Sequence, residues 1–110
     1  MPTTYKILGQ VEPSDTSTND LYTVPASTQA IVSTVIVANT SQTDQTFRIF
    51  VRDGGATAGT NNAIAYDAAI SANSQAAFTL GLTLSATDTI SVRSSFADTL
   101  TFQAFGSELS

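Results

Sequence analysis

Apolar and polar residues alternate along most of this 110-residue chain, and a period of two marks half-buried β-strands. The clearest run is 75–84. Phe78, Leu80, Leu82 and Leu84 fall on one side, and Ala77, Thr79, Gly81 and Thr83 on the other. Over 45–53 the pattern places Phe47, Ile49 and Val51 inward, with Thr46, Arg48, Phe50 and Arg52 outward. Residues 4–11 set Tyr5, Ile7 and Val11 against Lys6 and Gln10. Residues 20–24 form a brief strand closed by Pro25. In 29–39, Ile31, Val35 and Val37 point one way while Val32, Ile36 and Ala38 point the other. Apolar residues on both sides predict a strand covered on both faces, by the same domain or by a second copy. Residues 63–70 carry Ile64, Tyr66, Ala68 and Ile70 on one face. Residues 88–96 turn Ile90 and Val92 inward, and 98–105 bring Leu100, Phe102 and Ala104, leaving 106–110 as a tail.

Turn-forming residues separate these runs: Pro13, Asn39 to Asp44, Asp53-Gly54-Gly55, and Ala72-Asn73. About eight short strands at this spacing predict an all-β chain, a single β-sandwich or jelly-roll-like domain of antiparallel strands spanning 1–110. One rival stands beside it. The alanine-rich segment 63–77, with Tyr66 and Ile70 four apart, also suits a short helix.

Composition narrows the chemistry. Threonine, serine and alanine make up 46 of the 110 residues, and histidine, cysteine and tryptophan are absent. Threonine suits an extended strand that is also wet. Without histidine or cysteine, a Ser–His–Asp or Cys–His nucleophile cannot be assembled, and no phosphate-loop spacing is present. The chain reads as a non-enzyme with no cofactor. Asp15, Ser17, Asn19 and Asp20 resemble the start of a calcium loop, but the central glycine and terminal glutamate are missing, so a polar turn is expected. Asp67 lies inside a strand, where Arg48, Arg52 or Arg93 are its available partners.

Charge narrows the partners. The net charge is −5 with only four basic residues, so no direct nucleic-acid groove and no attraction to anionic membranes is expected. No apolar run is long enough to span a bilayer, and residues 1–8 lack the marks of a secretory leader. The lack of cysteine fits synthesis in a reducing host cytoplasm. Charged residues are 12% of the chain, about half the usual share. Interface cores are depleted in charge, so a sparse coat suits a protein covered by another. Phe50 between Arg48 and Arg52 is the first candidate contact, because aromatics and arginine concentrate at interfaces. Phe105, the one apolar residue among Thr99, Thr101 and Gln103, is the second.

Several of these segments resemble small virion proteins of tailed bacteriophages, including phages of cyanobacteria and other aquatic bacteria. The residues that carry the resemblance are Leu21-Tyr22-Thr23-Val24-Pro25-Ala26, the run from Ile31 to Asn39, Phe47 to Arg52, Ile64 to Asp67, Leu80 to Val92, and Phe105-Gly106-Ser107-Glu108. The resemblance implies a structural role in a virion and no active site. A capsid decoration (cement) protein on the major capsid protein shell is the leading form, with a homo-oligomer, trimers included, as its state. A tail, neck or fibre-attachment component is the alternative. A glycan-binding module is a third reading, disfavoured because Tyr5, Tyr22 and Tyr66 are the only tyrosines and tryptophan is absent.

Overall fold

A computed structural model describes residues 3–110. They form eight strands: β1 (Thr3–Val11), β2 (Asn19–Thr23), β3 (Gln29–Asn39), β4 (Gln45–Arg52), β5 (Ala63–Ile70), β6 (Gln75–Leu84), β7 (Thr89–Ser94) and β8 (Leu100–Leu109). They pair as two antiparallel four-stranded sheets, β1-β8-β3-β6 and β2-β7-β4-β5. All successive strands except β4 and β5 change sheet, which is the winding of an eight-stranded jelly roll. Residues 63–77 form two strands and a turn, not a helix. Ala65, Ala68 and Ile70 pack into the core from an extended backbone paired with β4, so tertiary pairing overrides alanine's helical preference. Residues 106–109 are no tail either: they continue β8 between β1 and β3.

The two sheets meet over a core that includes Val24, Val32, Val35, Ile49, Ile90 and Phe102. Phe47 joins the layers. From β4 its ring stands edge-on to Phe78 of β6 (centroids 5.9 Å) and to Phe102 of β8 (6.2 Å). Each such pair adds about 0.5–1.5 kcal/mol beyond the area it buries.

Among the register shifts of the two sheets, β-bulges in β1, β3 and β5 decide which apolar residues face outward. A bulge adds one residue to a strand and reverses the alternation beyond it. In β1 the extra residue is Leu8, between the pairs Ile7↔Phe105 and Gly9↔Ala104. In β3 it is Ser33, between Val32↔Gly106 and Thr34↔Phe105. The two bulges flank the same point of β8. A strictly alternating reading therefore fails on both strands. Tyr5 and Ile7 share the outer face with Gln10, not with Val11, and are 84% and 51% exposed. Ile31 also faces out, and Val32 is core. The second face of β3 is thus not covered within the chain. In β5 the bulge lies at Tyr66 and Asp67, opposite Arg48. It leaves Ile64 and Tyr66 exposed while Ala68 and Ile70 turn inward.

Two glycines make these crossings possible. A Cβ on Gly106 would collide with the backbone carbonyl of Ile31, and one on Gly9 with that of Leu21 in the opposite sheet. Both sites need a backbone approach that only glycine permits.

Candidate interaction faces

The outer faces of the two sheets differ in kind. In β1, β8, β3 and β6 the only charged residues are Lys6 and Glu108. They bond each other at 3.3 Å, with Glu108 also accepting from Tyr22 Oη of the other sheet at 2.5 Å. The charge of this sheet is thereby neutralised at its rim. That network holds the Glu108 carboxyl below the usual range, chiefly through the Tyr22 hydroxyl, while burial and then Glu108 push the Tyr22 phenol up. Apart from the paired Lys6 at its edge, the outer face carries no charge. One end of it is largely apolar: Tyr5, Ile7, Ile31 and Phe105 line a shallow groove with Lys6, Ser33 and Ser107. Of the two contacts anticipated from the pattern, Phe105 sits in this groove, half-exposed.

The sheet β2-β7-β4-β5 carries Asp20, Arg48, Arg52, Asp67 and Arg93. The β5 bulge sets two successive side chains against one arginine. The Tyr66 ring lies 4.0 Å from the Arg48 guanidinium carbon, and Asp67 accepts from Arg48 Nε at 2.7 Å and Nη2 at 3.2 Å. Asp67 takes a left-handed backbone (φ 52°) to do so, which aspartate tolerates better than most residues. Arg48 lowers the Asp67 pKa. Of the three arginines open to Asp67 by sequence, Arg48 is the one it chelates.

Arg52 is tied more tightly. Nε donates to the Ala56 carbonyl, Nη2 to Gly55, and Nη1 to Asp20 and to Ser91 Oγ. These bonds draw the segment after β4, a 3-10 turn at Asp53–Gly55 and its continuation, over the outer face. Phe50, two residues before Arg52 on the same strand, is 3% exposed. The outward register foreseen for Phe50 holds, but its exposure does not. At 3% exposure Phe50 offers almost no surface to a partner.

The expected polar turn is present at 15–20. Asp15 accepts from Ser17 N and Oγ, Asn19 bonds the Ser17 carbonyl, and Asp20 turns away to Arg52. No group of three potential metal-ligating side chains lies together among the described residues. None of their helices is long and apolar enough to cross a membrane.

The alternating pattern missed Tyr5, Ile7 and Ile31, which form most of the apolar groove. The isolated glycines at 9 and 106 are the signal that points to them, since glycine inside a strand marks a bulge or close approach.

No family model and no curated sequence matches the chain. By structure it is similar to a chain of infectious bursal disease virus, Gx strain, with a TM-score of 0.51 and 14% identity over 97% of this chain. The match spans 30% of that viral chain. At this identity the likeness is one of fold.

Proposed function

We propose that this chain is a structural component of a virion, and within that class a capsid decoration protein of a tailed bacteriophage that binds the major capsid protein shell. The observation that carries the reading is the outer face of β1-β8-β3-β6, with its apolar end and no charge besides the paired Lys6 at its edge. Covering that face desolvates no unpaired ion, because the rim pair Lys6–Glu108 is already neutralised. From strand rise and spacing, a four-stranded face of this length presents roughly 500–600 Å². Contact with one partner then buries about 1,000–1,200 Å² in all, the lower end for a specific interface. The jelly roll also serves lectins and cupins, so the fold alone does not select a role. The likeness to a viral chain and the phage-like sequence segments favour the virion. The mechanism is added buried area between shell subunits, with no chemical step.

The test is to add purified protein to shells that lack it and record their melting temperature. A ligand that binds the assembled state raises it with concentration. Ile31→Lys, which places a charge on the bare face, is expected to abolish the rise. Ile64→Lys, at an exposed site of the opposite sheet, is expected to leave it intact. No rise with the unaltered protein, or equal loss from both substitutions, refutes the assignment.

A further inference from the structure

The opposite sheet holds a second feature that the shell contact does not use. Arg48 of β4 and Arg93 of β7 are direct cross-strand partners. Like charges set opposite each other repel. One carboxylate, Asp67 of β5 on the far side of β4, is at hand, and both its oxygens are engaged by Arg48. Arg93 donates Nε to the Thr16 carbonyl at 2.7 Å. Its two terminal amino groups have no hydrogen-bond or ion-pair partner among the described residues. Arg93 borders a concavity of about 230 Å³ that Thr16, Thr46, Arg48, Asp67 and Ser95 also line. The Thr16 and Thr46 hydroxyls make no hydrogen bond within the described residues either. The site therefore has one uncompensated positive charge, in a chain whose net charge is −5.

We propose that this concavity binds a sugar acid, with Arg93 holding its carboxylate and the Thr16 and Thr46 hydroxyls holding ring hydroxyls. A terminal guanidinium presents two parallel donors that match the two oxygens of a carboxylate. Repulsion from Arg48 is relieved when an anion arrives beside both arginines. Asp67 opposes an anion least where it stands, because Arg48 neutralises it. The volume lies below the roughly 300–1,000 Å³ of drug-sized sites, so it suits one sugar ring and not a chain of them. Free hydroxyls around the fork favour a polyhydroxylated acid over a bare carboxylate.

The test is an NMR titration of the whole protein with sodium glucuronate, with sodium acetate and glucose as matched probes at constant ionic strength. Glucuronate is expected to shift the Arg93 Nε and Thr46 amide signals saturably and more tightly than acetate does, and glucose to leave them still. Arg93→Gln should weaken glucuronate about ten- to a hundredfold, the worth of a charge-assisted bond. Thr46→Val, a near-isosteric surface change, should weaken glucuronate and leave acetate unaltered, which keeps the test decisive if Arg93→Gln does not fold. Equal affinity for acetate and glucuronate overturns the proposal in favour of a simple carboxylate site, such as an acidic side chain of a protein would fill. Absence of any saturable shift overturns it outright.

Discussion

Tyr22 Oη donates to Glu108 Oε2 at 2.5 Å, and this bond ties β2 of one sheet to β8 of the other. It closes one end of the sandwich, where Lys6 also reaches the same carboxylate. Tyr22→Phe removes the hydroxyl but keeps the ring in the core. A hydrogen bond to a charged group contributes about 1.5–3 kcal/mol, so urea melts at neutral pH should show a loss near the lower figure. The sign with pH follows from Glu108. Its pKa in the fold lies below the ordinary value, so its contribution is present above the unfolded pKa and fades as pH falls through the lowered one. The gap between the two proteins should therefore shrink in acid. The Glu108 carboxyl, followed by carbon NMR, should titrate higher in the variant.

The parts of the fold that obeyed one rule throughout were legible from sequence. β6 alternates without interruption where its face meets the core, and Phe78, Leu80 and Leu82 pack there as their spacing foretells. The bulged strands were not legible in the same way. Whether Leu8 or Ser33 is the extra residue depends on the partner strand β8, so no reading of β1 or β3 alone locates it. The cost was the main face, because a bulge turns Tyr5, Ile7 and Ile31 outward together. Phe50 shows the other limit. Its burial at 3% exposure was not readable from the alternation of β4, which sets it on the side of Arg48 and Arg52. Arg93 was legible only as one of three available partners for Asp67, since its place opposite Arg48 depends on the pairing of β4 with β7.

Gly106→Ala should be among the most damaging small substitutions in the chain. Its Cβ meets the Ile31 carbonyl, a backbone atom of a central strand that has no rotamer by which to yield. Overpacking of this kind costs about 1–3 kcal/mol or more, and the cost should sit at the upper end. Gly81→Ala is the control. It lies in β6 with no atom within 4 Å of the new methyl group, and removing glycine's freedom from the unfolded chain gains about 0.4–1 kcal/mol. Thermal melts of the two proteins should move in opposite directions.

Asn39 closes β3 with a side chain that is 2% exposed and fully engaged. Its Nδ2 faces the carbonyls of Thr43, Ser71 and Ile70 at 2.9, 3.2 and 3.3 Å, and its Oδ1 accepts from Ser41 N and Oγ. Asn39→Asp changes almost no volume but sets a carboxylate against three carbonyl oxygens. The expected loss at neutral pH is about 3–5 kcal/mol, as for an uncompensated buried charge. Protonation restores one donor. The new carboxyl should thus have a raised pKa in the fold, and the variant should regain stability relative to the unaltered protein as pH falls through that raised value. A deficit that does not change between neutral and acid melts would contradict this account of the Asn39 site.

Arg52→Lys tests what holds the segment after β4 in place. Four acceptors meet one guanidinium here: two backbone carbonyls, the Asp20 carboxylate and the Ser91 hydroxyl. A lysine ammonium has three donors radiating from one point and cannot satisfy a planar fork of that width. Some acceptors then return to water, and the segment loses its anchor to the outer face. The expected result is faster hydrogen exchange at the Ala56 and Asn62 amides, which bond Asp53 and Gly59 within that segment, together with a stability loss of about 1–3 kcal/mol. Arg48→Lys supplies the contrast. Arg48 serves one exposed carboxylate and one exposed ring and anchors no other segment, so exchange at Ala56 and Asn62 should stay at its original rate. Equal protection in both variants would mean that the segment is held by its own turn hydrogen bonds and not by Arg52.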